Sequence, residues 1–290
     1  MNALRPHDRA CRSPVAGGGG RQAKDHSEKP RIAARPDELL EHSMSDSLGY
    51  RAKFGVLIPS TNTSVEPEFA DMRPVGVTNH TSRIVIPDIP LKSNEDFDKL
   101  IALIDAAQMA AVDSIMSCRP DRLVLGISAE TFWNGLQASR DLRKLLETHT
   151  KLPVSMGADS CEEVLKLFNA KRIGVVTPYW PVGDKNVRRF FEESGFVVAK
   201  LIGLSCESPV LIAHVTEERL HDAIREVNGP DVDAIVQVGT NLACARVAAA
   251  AERYLKKPVI AINTAIYWHA LRHHGFNDKI GGFGSLLDHH

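Results

Sequence analysis

Four short segments concentrate the hydroxyl and amide groups of this chain. Ser60-Thr61-Asn62-Thr63-Ser64 is a run of small polar side chains. Gly126-Ile127-Ser128 and Gly239-Thr240-Asn241 each set a glycine beside hydroxyl or amide groups, a pairing that lets backbone N–H groups converge on a carboxylate. Thr177-Pro178-Tyr179-Trp180-Pro181 holds a tyrosine between prolines, which narrows its backbone and offers a phenol to a developing oxyanion. Together they predict an anion site made of neutral donors. Ser128, Tyr179 and Thr240 are the expected reacting-centre residues, with Ser60, Thr61, Asn62, Gly239 and Asn241 around the substrate. Structural roles are open beside these: Thr63 or Ser64 suits the N-cap of a helix starting near Glu66, and Tyr179 suits an interface aromatic.

Other chemistries find less support. Ser128 is followed by Ala129-Glu130, without the second glycine of a nucleophile elbow, so a serine hydrolase of that type is excluded. Glu130 has the chemistry of a general base, but a charged-surface or capping role is expected for it. His269 and His273 sit at i, i+4 on a C-terminal helix with no third donor nearby in sequence, so no metal site is expected. Neither a Walker A loop nor a dinucleotide fingerprint occurs, and Gly281-Gly282-Phe283-Gly284 is too short and too C-terminal to serve as one. No cofactor is expected.

The five cysteines, Cys11, Cys118, Cys161, Cys206 and Cys244, are scattered and unpaired by spacing. That pattern favours a reducing, cytoplasmic setting. With 35 basic against 36 acidic side chains, no surplus positive charge exists for a nucleic acid or an anionic membrane. No apolar run reaches the roughly 18–20 residues of a spanning helix. A small carboxylate is the expected partner, and a homo-oligomer stays open.

The elements that would position these loops alternate strand and helix. Strands are predicted at Phe54–Ile58, Thr81–Ile86, Arg122–Leu125, Pro153–Met156, Ile173–Val176, Val197–Leu201, Ala234–Val238 and Val259–Ile262, with helical spacing over Leu136–Leu146 and Val187–Phe191. Near-continuous apolar strands between helices predict an α/β fold with mainly parallel sheets covered on both faces. The order also repeats. Lys53–Pro59 echoes Arg172–Pro178, Pro120–Gly126 echoes Val232–Gly239, and Leu152-Pro153-Val154 echoes Lys257-Pro258-Val259. Two copies of one unit are expected, as pseudo-symmetric Rossmann-like lobes with the cleft between them at the strand ends. The lobes are placed at 51–158 plus 265–286 and at 159–264. Residues 1–50, rich in Arg, Pro, Ser and Gly, read as a disordered extension, with Met44 an alternative start.

From about residue 52 to 286 the chain resembles the aspartate/glutamate racemase superfamily, in particular its maleate cis-trans isomerase and arylmalonate decarboxylase branch. The resemblance is carried by Ile58-Pro59-Ser60-Thr61-Asn62-Thr63, Thr177-Pro178-Tyr179, Phe132-Trp133-Asn134-Gly135, Val232–Val236 and Lys257-Pro258-Val259. It implies a cofactor-independent isomerase or decarboxylase of a small mono- or dicarboxylate, with an enediolate-like or covalent intermediate between two lobes. The family's two cysteine positions fall on Ile127 or Ser128 and on Gly239 or Thr240, so the expected enzyme lacks those thiols. The alternative is a non-catalytic carboxylate-binding protein derived from such enzymes.

Overall fold

β1 (Ala52–Pro59) pairs along its whole length with β2 (Val77–Ile84) on one side, and through Phe54–Leu57 with β3 (Arg122–Leu125) on the other. β4 (Val154–Ser155) completes a four-stranded parallel sheet of order β2-β1-β3-β4. A second parallel sheet, of β5 (Arg172–Thr177), β6 (Val197–Gly203), β7 (Ala234–Gln237) and β8 (Val259–Ala261), has the order β6-β5-β7-β8. The second order repeats the first, which makes the two lobes pseudo-symmetric. The structure is a computed structural model describing residues 46–290. Apart from residues 46–50, the expected extension and Met44 lie outside the described residues.

Nine α-helices among the described residues connect and cover the strands. They are α1 (Val65–Asp71), α2 (Asn94–Met116), α3 (Gly135–Thr150), α4 (Gly157–Leu167), α5 (Pro181–Glu193), α6 (Glu217–Val227), α7 (Ala245–Leu255), α8 (Ile262–Arg272) and α9 (Ser285–His289). Short 3-10 turns occupy Ala129–Phe132 and Leu211–His214. The inner strands β3 and β7 are buried at every position, as expected for strands with helices on both faces. None of these helices is long and apolar enough to cross a membrane.

All eight expected strands are present, with shifted limits where sequence is least informative. β2 runs Val77–Ile84 instead of Thr81–Ile86, because its pairing with β1 takes in Thr78, Asn79 and His80. Those residues are polar since β2 is an edge strand and half-exposed through its middle. Two helices join the lobes. α4 leads from β4 to β5, while α8 follows β8, packs against α4 and also contacts β3 and β4 of the first sheet. Every α8 residue from Ile262 to Leu271 is buried. This return supports placing 265–286 with the first lobe, and we propose the lobe limits on that basis.

Candidate active site

The C-terminal ends of β1, β3, β5 and β7 deliver their loops to one narrow cavity of about 60 Å³. Pro59, Thr61 and Asn62 come from the first loop and Ile127, Ser128 and Ala129 from the second. Pro178 and Tyr179 come from the third, and Gly239, Thr240 and Asn241 from the fourth. Ile86, Phe97, Leu100, Ile104 and Ile212 close it with an apolar wall. The lining contains no charged side chain and, among the described residues, no cysteine. Cofactor and drug-sized pockets run to roughly 300–1,000 Å³, so this volume suits only a small molecule.

The two sheets meet chemically at Ser128. Its Oγ lies 2.6 Å from the Tyr179 hydroxyl, with either group able to donate, and accepts the Thr240 N–H at 3.1 Å. All three residues are buried. Burial pushes the Tyr179 phenol far above its ordinary range, so it stays neutral and keeps a proton to donate. Thr177 sets its position: the Thr177 Oγ1 accepts the Tyr179 N–H at 3.0 Å and donates to Asp184.

Close backbone approach explains both glycines. A Cβ on Gly126 would lie 2.5 Å from Ile58 and 2.7 Å from Val65. Gly239 has φ +105°, and a Cβ there would meet Pro178 at 2.4 Å. A side chain at either position would push the loops apart.

The two asparagines lining the cavity act as struts. Asn62 Oδ1 accepts the N–H groups of Ser64 and Val65, both at 3.0 Å, and its amide donates to Thr240 Oγ1 at 3.3 Å. It therefore caps α1, in place of the Thr63 or Ser64 side chain expected from sequence. Ser64 instead donates to the Asn241 carbonyl across the lobe boundary at 2.9 Å. Asn241 Oδ1 accepts the Thr63 N–H at 2.9 Å, and its amide donates to the carbonyls of Thr61 at 3.3 Å and Pro209 at 2.9 Å. Thr240 Oγ1 donates to the Gly126 carbonyl at 3.0 Å. Thr61 lines the cavity. Ser60 stands apart: it is exposed, and its hydroxyl donates to the Ile86 carbonyl and accepts the Ile86 N–H.

Glu130 and Glu68 are carboxylates whose pKa burial raises. Glu130 is buried, not on the charged surface that its sequence context suggested, and neither carboxyl oxygen has a partner. Burial pushes its pKa up to about 8. Glu68, on α1, accepts the Ala245 N–H at 2.9 Å and the Asn263 amide at 2.6 Å, and burial pushes it up to about 7. Asn263 also donates to the Thr240 carbonyl at 2.9 Å, so it supports the fourth loop from behind. Sequence reading passed over Asn263. Its signal was a polar residue just past β8, the place where the other inner strands carry site loops. Of the cysteines, Cys161, Cys206 and Cys244 are buried and Cys118 is half-buried; burial raises the thiols of Cys161 and Cys244 and takes Cys206 up to about 11.

A family model described as arylmalonate decarboxylase matches residues 54–287. The chain belongs to the arylmalonate decarboxylase family. Its sequence relatives include the maleate isomerase of Alcaligenes faecalis, 22% identical over 249 residues, covering 81% of this chain and 96% of that protein. The maleate isomerase of Pseudomonas putida is 26% identical over 252 residues, with coverage of 81% and 96%. Among solved structures, Nocardia farcinica maleate cis-trans isomerase with a covalently bound succinylcysteine intermediate superposes with TM-score 0.75 at 21% identity. That match covers 82% of this chain and 99% of the other. An arylmalonate decarboxylase structure gives TM-score 0.65 at 20% identity, covering 81% and 99%. At such identities the structural likeness is one of fold, and the two-lobed α/β architecture of this arylmalonate decarboxylase family member is shared with those enzymes.

Proposed function

We propose that this chain is a cofactor-independent isomerase or decarboxylase of a small mono- or dicarboxylate, working through an anionic intermediate held by hydroxyl and backbone groups. The observation that carries this reading is the Ser128–Tyr179–Thr240 cluster, in which donors from both sheets converge inside a cavity without charged side chains. Neutral donors in a dry, preorganised site act strongly on a charge that develops during reaction and need no reorganisation. Thr61 and the Gly239 backbone flank the same space as carboxylate-binding groups, and Asn62 and Asn241 hold the loops in register.

Within this reading, decarboxylation is favoured over isomerisation. Thiolate addition needs a cysteine at the substrate, whereas this lining pairs hydroxyls with an apolar wall. A substrate with two carboxylates on one carbon would place one against the hydroxyls and the other against Ile86, Leu100 and Ile104. Loss of the second as carbon dioxide leaves its bonding electron pair on the carbon and the remaining carboxyl as an enediolate. Ser128 and Tyr179 would stabilise that charge, and a hydroxyl proton relayed from solvent would restore the C–H bond. Desolvation by the apolar wall would favour the uncharged product.

Proton NMR of the full chain with malonates, aryl malonates and maleate in deuterated buffer tests the proposal. Loss of carboxyl carbon with one deuterium gained supports decarboxylation, and cis-trans conversion supports isomerisation. Ligand-induced thermal stabilisation without any turnover would favour the non-catalytic binding protein instead.

A further inference from the structure

His269 and His273 acquire in the fold a partner that their sequence neighbourhood lacks. Glu163 of α4 faces both histidines of the α8 end, with Oε1 and Oε2 at 2.9 and 3.0 Å from His273 Nε2 and Oε2 at 3.5 Å from His269 Nε2. The imidazole rings stack with centroids 4.0 Å apart, and the three donor atoms lie within 4.8 Å of one another. We propose that Glu163, His269 and His273 form a binding site for a zinc-class divalent cation that clamps α4 to α8.

The spacing and the donor types both carry this assignment. Zinc bonds imidazole nitrogen and carboxylate oxygen at roughly 2.0–2.2 Å, which sets tetrahedral donors about 3.3 Å apart. The carboxylate-to-imidazole separations of 2.9–3.5 Å bracket that value before any side chain moves. Two imidazoles with one carboxylate select zinc and its neighbours over magnesium or calcium, which take oxygen donors.

Support behind the donors is already built. His269 Nδ1 lies 2.8 Å from Ser155 Oγ, which in turn accepts from Arg122 at 3.2 Å. This arrangement orients His269 Nε2 toward Glu163, as the outer partners of metal-bound histidines do. The nearby cations are engaged elsewhere: Arg140 with Asp159 and Glu162, Arg143 with Asp159, and Lys166 with Glu162. Glu163 is left facing the histidines.

None of the three residues lines the cavity at the strand ends, so the ion would sit apart from the proposed reacting centre. α4 and α8 are the two helices that pass between the lobes, and an ion held between them would tie those connections together. Sequence spacing hides the site because its third donor comes from the other crossing helix.

Calorimetric titration of the chelator-treated full chain with zinc chloride alone tests the assignment, with magnesium chloride as the control. One zinc per chain is expected, with a raised melting temperature and no magnesium response. Glu163→Gln and His273→Ala change half-exposed side chains, and each should weaken zinc binding about 10-fold or more with the circular dichroism spectrum unchanged. The absence of zinc uptake by the wild-type chain would overturn the proposal. So would wild-type affinity in both variants, which would place any bound zinc elsewhere, for instance at His289 and His290.

Discussion

Ser128 and Tyr179 stand at the ends of strands in different sheets, yet their hydroxyl oxygens are 2.6 Å apart. The contact makes the proposed reacting centre a property of the lobe interface, since neither lobe supplies the pair alone. The Thr240 N–H, 3.1 Å from Ser128 Oγ, ties a third strand end to the same point.

Asn241 should therefore matter to stability as well as to the site. Replacing it with Ala leaves the Thr63 N–H and the Thr61 and Pro209 carbonyls without their side-chain partner. Each of the two carbonyl contacts is buried, and a buried group stranded in this way costs about 1–3 kcal/mol. Urea denaturation of Asn241→Ala should show a loss of at least that size. An unchanged midpoint would mean that water replaces the amide and that the strut is dispensable.

Glu130 sets a pH dependence of folding. Its native value of about 8 stands above the ordinary 4.5, so between those values the folded chain binds a proton that the unfolded chain has released. Stability falls as pH rises across that window, by up to about 1.4 kcal/mol per pH unit from this one group. Glu68, raised to about 7, adds a second contribution that ends earlier. Melting curves of Glu130→Gln should fall less steeply from pH 5 to 8 than those of the wild type. Parallel curves would show that the carboxyl finds a partner or solvent.

Thiol chemistry is expected to be absent from turnover. Among the described residues Cys118 is the half-buried cysteine, while Cys161, Cys206 and Cys244 are buried. Of these four, an alkylating agent should label Cys118 first, and activity should stay intact. Rapid inactivation with substrate protecting Cys161 or Cys244 would restore a cysteine to the mechanism.

What sequence could and could not reveal divides along physical lines. The four inner strands were legible because burial on both faces demands short unbroken apolar runs, as in Leu123–Leu125 and Ala234–Val236. The repeat of the motif around Gly126 and Gly239 revealed the doubling of the fold. Edge strand β2 was misplaced because its half-exposed face tolerates Thr78, Asn79 and His80. The site loops were legible as loops, but not the division of labour within them. Asn62 and Ser60 are near neighbours with similar chemistry; only the fold shows one bridging to Thr240 and the other held by Ile86. The burial of Glu130 and the approach of Glu163 to His269 depend on helices distant in sequence, which no local pattern encodes.

In the proposed mechanism, hydroxyl groups shared between the lobes stabilise the reaction's anion. Turnover of Tyr179→Phe measures it most directly, because Phe preserves the ring against Phe97 and removes only the hydroxyl. Loss of one oxyanion donor typically costs about 10²–10³ in turnover. With the substrate identified by NMR, Tyr179→Phe should lose turnover by that factor while its melting temperature stays near the wild-type value, and Ser128→Ala should lose as much or more. Full turnover in a folded Tyr179→Phe enzyme would contradict the account and make the Ser128–Tyr179 contact a structural tie.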